Sequence, residues 1–282
     1  MPVVTRFAPS PTGLLHLGHA YAAKVARDLA QAEGGRFLLR FEDIDHTRVR
    51  PEYYAATEDD LRWLGLTWDG TPLRQSARAD AYAAALQRLQ ELSAVYPCFC
   101  TRREIEEEIT RMVNAPHGPE GALYPGLCRQ IPVEESATRI AAGEQPAWRL
   151  DSVRMRESKP LSFTDLRHGE IQVDPTLLGD VVLARKDIGT SYHLAVVVDD
   201  AFQGVTHVTR GEDLLPSTHV HRVLQTLLGL PEPLYLHHHL LTDEQGVRLA
   251  KRADALSIRR LRESGKTAAD LLAELKTNPA AW

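Results

Sequence analysis

The feature that most constrains this chain is a break in its first twenty residues. Val3-Val4-Thr5-Arg6-Phe7 is a β-branched strand signal, and Ala8-Pro9-Ser10-Pro11-Thr12-Gly13 stops it with turn residues. From His16 to Ala32 the apolar residues then recur at helical spacing, up to Gly34-Gly35. A strand, a proline- and glycine-rich loop and a helix in that order are the opening of an α/β unit. Such a loop leaves backbone N–H groups unpaired at the helix start, where the helix dipole favours negative charge, so the spacing predicts a phosphate site.

The alternation continues. Arg36-Phe37-Leu38-Leu39-Arg40-Phe41-Glu42 reads as a second strand, and Tyr53 to Leu64 and Ala79 to Leu92 read as helices. From Cys98 to about Gly189 the pattern is irregular, with short strand signals at Trp148 to Val153 and Ile171 to Val173, which predicts an inserted subdomain. Strand-like sequence resumes at His193-Leu194-Ala195-Val196-Val197-Val198, then a helix from about Ser217 to Leu228, a strand at Leu234-Tyr235-Leu236 and a short helical tail from Ser257. The expected organisation is residues 1–97 and 190–246 as two halves of a parallel-sheet nucleotide-binding domain, 98–189 as the insertion and 247–282 as a basic loop with a helical tail. The 282 residues, 43% hydrophobic, suffice for that core. No apolar run is long enough to span a bilayer and the start lacks a signal-peptide layout, so a cytoplasmic enzyme is expected. The net charge of −5 means that any RNA partner has to be held by a local basic patch, with Arg102, Arg103 and Arg129 as candidates.

Within the opening, His16 and His19 lie three residues apart and project from one helix face. Imidazole N–H groups beside a triphosphate would stabilise the charge that develops as pyrophosphate leaves. Gly18 between them would let a base or ribose approach the backbone. A pair of ordinary surface histidines and a metal pair are the alternatives. Cys98-Phe99-Cys100 and Cys128 bring all three cysteines into one stretch, a pattern for structural zinc, with one tetrahedral position left to fill. His117 is the ordinary candidate for it, and three free thiols are the plain alternative.

The run Arg6-Phe7-Ala8-Pro9-Ser10-Pro11-Thr12-Gly13-Leu14-Leu15-His16-Leu17-Gly18-His19 resembles the opening of glutamyl-tRNA synthetases, with His16-Leu17-Gly18-His19 in place of their HIGH signature. The resemblance continues through Leu39-Arg40-Phe41-Glu42-Asp43-Ile44-Asp45, Asp60 to Asp69, Gln75-Ser76, Tyr192-His193-Leu194-Ala195 and Val198-Asp199-Asp200. It implies a class I nucleotide-binding (Rossmann-like) α/β fold split by an insertion, ATP as substrate, Mg²⁺ assistance and activation of L-glutamate. By the same resemblance Arg6, Tyr192 and Arg210 face the substrate's side-chain carboxylate, and Ala8, Ser10 and Glu42 line the site of its α-amino group. Arginine suits that task because its planar fork binds a carboxylate through parallel hydrogen bonds. His16, Gly18, His19 and Lys251 would hold ATP, with His16, His19 and Lys251 catalytic.

Gln245-Gly246-Val247-Arg248-Leu249-Ala250-Lys251-Arg252 resembles the family's KMSKS loop in degenerate form, with Arg248 at the first lysine position and Ala250 in place of the serine. Val196 stands where the family has asparagine, which implies a pocket short of one amide and weaker glutamate binding. A Cys-x-Cys…Tyr-x-x-x-Cys arrangement known in shortened relatives puts Tyr124 ahead of His117 as the fourth zinc ligand beside Cys98, Cys100 and Cys128. Only about thirty residues follow Arg252, too few for an anticodon-reading region. Together these departures resemble the shortened members of the family that transfer glutamate to queuosine in the anticodon loop of tRNA(Asp). The rivals are a synthetase core charging the 3′ end of tRNA(Glu), a glutamate- or ATP-binding protein without catalysis, and a small nucleotidyltransferase.

Overall fold

The computed structural model describes residues 2–112, 117–119, 121–156, 159–241 and 257–275. The chain opens with β1 (Val4–Phe7), α1 (Leu17–Ala32) and β2 (Arg36–Phe41), followed by α2 (Glu52–Trp63), the short β3 (Leu73–Arg74), α3 (Ala79–Glu91) and β4 (Val95–Cys98). Next come α4 (Arg102–Arg111), the two-residue strands β5 (His117–Gly118) and β6 (Gly121–Ala122), α5 (Val133–Ala141), β7 (Ala147–Leu150) and α6 (Ser152–Arg156). A hairpin of β8 (Ser162–Asp165) and β9 (Gly169–Gln172) leads to β10 (Val182–Ala184), α7 (Tyr192–Gln203), β11 (His207–Gly211), α8 (Leu215–Leu228) and β12 (Leu234–His238). Helices α9 (Ile258–Glu263) and α10 (Ala268–Glu274) close the described chain.

Parallel pairing dominates around the site. β1, β2 and β3 form one parallel sheet, and β11 pairs in parallel with β12, which pairs in parallel with β8. Thr206 N donates to Val4 O at 3.0 Å and ties the start of β11 to β1. The sheets are not wholly parallel: β9 is antiparallel to β8, and β4, β7 and β10 make a separate antiparallel sheet. The stretch 98–189 therefore contributes to three sheets: β7 and β10 join β4, the β8–β9 hairpin continues the β11–β12 sheet, and β5 pairs with β6. The strand signal at Trp148 to Val153 resolves into β7 and the start of α6, and that at Ile171 to Val173 into the end of β9.

One expectation is overturned. His193–Val198, read as a strand from its β-branched run, lies in helix α7. Leu194, Ala195, Val196 and Val197 are all buried, as are Asp199 and Asp200 further along. A helix covered on nearly every side shows no amphipathic stripe, so a short apolar run of this kind has no period to distinguish it from a buried strand. Packing against α3 and α8 then outweighs the modest helix penalty of valine. Gly204, at φ 65°, ends the helix in the left-handed conformation that glycine accepts most readily.

Two apolar cores flank the site. One gathers Phe7, Leu15, Ala23, Leu39 and Leu61 with Ile258, Leu271 and Leu275, so the tail helices complete the core begun by the first two strands. The other joins α3, β4, α7 and α8 through Leu89, Val95, Leu194, Val197, Val220 and Leu224. Among the described residues no helix is long and apolar enough to cross a membrane.

Candidate active site

The loop after β1 is fixed from below. Glu42 N donates to Pro9 O at 3.0 Å and Arg50 N to Pro11 O at 3.2 Å, so the segment following β2 holds the proline loop in place. Above that loop α1 begins, and His16 is its N-cap. Gly18 N donates to His16 Nδ1 at 3.1 Å, and His16 N donates to His19 Nδ1 at 3.3 Å. The rings stack with centroids 3.7 Å apart. Because a backbone N–H occupies each Nδ1, each ring carries its proton on Nε2 and keeps that donor for an outside acceptor. Burial lowers the His16 pKa, and burial with the neighbouring His16 lowers that of His19 to about 3. Two neutral N–H donors at a helix N-terminus favour an anion without placing a second formal charge there.

Gly18 has a part in this arrangement of the rings. A Cβ there would meet His16 Cε1 at 3.0 Å and Nδ1 at 3.1 Å, so the close approach that glycine permits is that of the His16 ring. Gly18 does not line the cavity.

A cavity of about 470 Å³ brings together Arg6, Ala8, Ser10, His16, His19, Glu42, Tyr192 and Arg210, eight of the residues singled out in the sequence. That volume is within the range of small-molecule sites. Its floor is a buried ion network. Arg6 Nε donates to Asp200 Oδ1 at 2.9 Å and Arg40 Nη1 to the same oxygen at 2.7 Å, while Arg40 Nη2 reaches Glu42 Oε1 at 3.4 Å. Arg6 Nη1 also donates to Thr209 O at 3.1 Å. Burial raises the Glu42 pKa and the two guanidinium groups oppose it, whereas Arg6 and Arg40 overcome burial at Asp200 and hold its carboxyl below the usual range. Two cations and two carboxylates balance in this network.

Arg210 is held otherwise. Its partners are Tyr192 Oη at 3.2 Å, His221 Nδ1 at 3.0 Å, His237 Nε2 at 3.3 Å and Thr218 Oγ1. None is a carboxylate, and among the described residues no ion pair involves Arg210. Among the described residues this positive charge therefore has no carboxylate partner, and it faces the cavity beside Tyr192. This is the arrangement that accepts a single anionic side chain.

A second cavity of about 400 Å³ adjoins the first and shares Ser10, Thr12, Glu42 and Tyr192 with it. Ile44, Val49 and Ile188 give it apolar walls, and Arg48 and Arg185 stand at its edge, Arg185 paired with Asp45 and Asp187. Nearby, Lys186 Nζ donates to Phe99 O at 2.8 Å and to Cys100 O at 3.3 Å. The cysteine stretch and the wall of the second cavity are thereby joined.

The sulfurs of Cys98, Cys100 and Cys128 lie within 4.8 Å of one another. The Tyr124 hydroxyl is 3.4 Å from Cys98 Sγ and 3.5 Å from Cys100 Sγ. Three thiols and a phenol converging on one point fit a four-coordinate metal. His117 is described in its backbone only, within β5, and its side chain lies outside the described residues. Lys251, with Arg248 and Ala250, also lies outside them.

One further expectation changes. Val196 is 1% exposed in the core of α7 and α8 and lines neither cavity, so the weaker glutamate binding inferred from it loses its structural ground. Arg129 is engaged by the buried carboxylate of Asp180, with Nε donating at 3.0 Å, while its side chain stays 30% exposed; Arg102 and Arg103 are exposed on α4. Missed altogether were the roles of Arg40 and Asp200 and of the histidines behind Arg210. Asp200 lay in a recognised motif but offered no local signal of its two cationic partners, which come from β1 and β2.

A match over residues 2–277 to the family model for the catalytic domain of class I tRNA synthetases (E and Q) accounts for this constellation. The chain belongs to that family. Among its relatives, the glutamyl-Q tRNA(Asp) synthetase of Rhodobacter capsulatus is 49% identical over 95% of this chain and 98% of its own length. That of Nocardia farcinica is 47% identical over 96% and 82%. A crystal structure of a glutamate tRNA ligase from Elizabethkingia meningosepticum, in complex with its amino acid, superposes with a TM-score of 0.76 at 28% identity, covering 90% of this chain. This class I synthetase chain spans about half of that ligase, 53% of its length.

The buried histidines of this synthetase give a pH prediction. Burial lowers the pKa of His193 to about 4 and of His19 to about 3, and pushes His221 well down and His237 down. Each binds a proton more readily unfolded than folded, so its contribution to stability is complete above the unfolded value near 6.5 and is lost as pH falls from there toward the folded value. Asp60, raised to about 6 by burial, opposes this with one proton. Denaturant titrations between pH 6.5 and 4.5 should give unfolding free energies that fall with decreasing pH, at about 1.4 kcal/mol per pH unit for each net histidine. A flat profile would show that these rings are protonated in the folded state.

Proposed function

We propose that this chain activates L-glutamate with ATP and transfers the glutamyl group to queuosine in the anticodon loop of tRNA(Asp). The observation that carries the first half is the single cavity joining the unpaired Arg210 charge to the two Nε2–H donors of His16 and His19. Support for the second half is identity approaching one half with glutamyl-Q tRNA(Asp) synthetases, over nearly the full length of the Rhodobacter capsulatus protein.

In this reading Arg210, Arg6 and Tyr192 receive the side-chain carboxylate, and Glu42 with Ser10 and the backbone at Ala8 receives the α-ammonium group. An oxygen of the α-carboxylate attacks the α-phosphorus of ATP; the new C–O–P bond forms as the bond to pyrophosphate breaks. His16 and His19 donate to phosphate oxygens as charge moves onto them. Mg²⁺, when bound with ATP, neutralises the leaving pyrophosphate. Lys251, by the family resemblance, would do the same. Ser257, six residues later, forms a β-bridge with His16. A hydroxyl of the modified base then attacks the activated carbonyl and AMP departs. The second cavity, opening beside Glu42 and Tyr192, is where that base would enter. Cys98, Cys100, Cys128 and Tyr124 would hold a structural zinc ion that fixes the strand end on which Lys186 rests. The setting is taken to be the cytoplasm, where thiolate sites and tRNA coexist.

The decisive experiment compares glutamate transfer to tRNA(Asp) carrying queuosine, tRNA(Asp) lacking it, and tRNA(Glu). Labelled glutamate is expected on the queuosine-containing tRNA(Asp) alone. Equal labelling of both tRNA(Asp) forms, or labelling of tRNA(Glu), would refute the acceptor assignment. Absence of glutamate-dependent pyrophosphate–ATP exchange would refute activation itself.

A further inference from the structure

Arg210 is buried, 6% exposed, and the groups that hold it are two imidazoles, a hydroxyl and a phenol. The imidazoles are themselves ordered from behind. His237 Nδ1 donates to Asp165 Oδ2 at 2.7 Å, and the same oxygen accepts His237 N at 3.0 Å. His221 Nε2 lies 3.2 Å from His193 Nδ1. A guanidinium only donates, so His237 must accept through Nε2 and keep its proton on Nδ1 for Asp165. By the same logic His221 accepts through Nδ1 and passes its Nε2 proton to His193. Every hydrogen bond in the chain thus has one direction, and each ring is needed neutral.

We infer that His221 and His237 are positioning residues for substrate selection: neutral acceptors that orient the Arg210 fork while leaving its charge to the substrate's side-chain carboxylate. A carboxylate in either place would orient Arg210 as well but would neutralise it. That is the solution adopted on the cavity floor, where Asp200 compensates Arg6 and Arg40. The contrast assigns the two halves of the pocket different work. Arg6 is a fixed, charge-balanced donor, whereas Arg210 supplies the net charge by which a carboxylate is preferred to the isosteric amide of glutamine. The inference rests on the reading of Arg210 as the side-chain ligand.

The test uses the full chain and amino-acid-dependent pyrophosphate–ATP exchange. Wild type is measured first with glutamate and glutamine, and failure to exchange with glutamate would refute the proposed activation rather than this inference. His221→Asp is then expected to raise the glutamate KM by at least about thirtyfold, to shrink the preference over glutamine by a similar factor, and to leave the ATP KM within about threefold. His221→Asn keeps an acceptor at the Nδ1 position and should stay within about threefold of wild type in glutamate KM, while His221→Leu should raise it about tenfold. If the aspartate variant does not fold, judged by its circular dichroism, the asparagine and leucine variants decide between themselves. A glutamate KM unchanged in the aspartate variant, or asparagine and leucine variants that behave alike, would overturn the inference. So would equal rises in the glutamate and ATP constants, the mark of a merely structural role.

Discussion

Replacing Arg210 with leucine should lower kcat/KM for glutamate in pyrophosphate exchange by about a thousandfold. The buried guanidinium has no carboxylate partner among the described residues, and loss of a buried partner to a carboxylate costs about 2–5 kcal/mol, much of it the penalty of leaving the substrate's charge unpaired. Since Tyr192, Thr218, His221 and His237 all lose a donor at once, the variant will also be less stable, and its thermal midpoint belongs beside the kinetics. The ATP KM is the internal control. Arg210 and the stacked histidines line the same cavity but hold different ends of the reacting pair, so a loss confined to glutamate locates the side-chain subsite. If ATP and glutamate constants rise together, Arg210 shapes the fold and does not read the substrate.

The second large effect is expected at His19. His19→Ala removes one of the two Nε2–H donors and also the acceptor for His16 N, which frees the N-cap geometry that aims the other ring. Loss of one preorganised donor to developing charge lowers turnover by about 10²–10³. Here kcat should fall while both substrate constants stay within a few fold, the pattern of an interaction made mainly in the transition state. His19→Asn is the informative companion, because its carbonyl can restore the contact to His16 N without restoring the donor. Recovery of turnover by that variant would mean that His19 acts only as a cap.

Much of this site could be read before any coordinates because its residues lie in local order: the strand, proline loop and capped helix place Arg6, Ala8, Ser10, His16 and His19 within fourteen positions of one another. The clustering of the three cysteines was legible for the same reason, whereas Tyr124 came only from the resemblance to shortened relatives, the residues themselves having put His117 forward. What stayed hidden was either non-local or fully buried. Asp200 bonds Arg6 and Arg40 across 194 and 160 positions, and Asp165 reaches His237 across 72. No window of sequence contains both partners. Helix α7 was misread because burial on nearly every face erased its period, and the closeness of the His16 ring to Gly18 was not foreseen because that ring is folded back from two residues earlier. Val196 shows the opposite risk: a position taken from a motif was assumed to face the substrate, and the helix turns it into the core.

The join between the two ends of the chain sets an order of events during synthesis. Ile258 N donates to Leu15 O at 2.8 Å, and Ile258, Leu271 and Leu275 are almost fully covered within the cluster begun by Phe7 and Leu15. While a ribosome is still making the middle of the chain, the first strands and α1 keep a hydrophobic surface uncovered where Ile258, Leu271 and Leu275 later pack. Their half of the catalytic cleft can only become rigid once α9 and α10 emerge, so a nascent chain should stay protease-sensitive around β1 and α1 until Ile258 to Leu275 has been made.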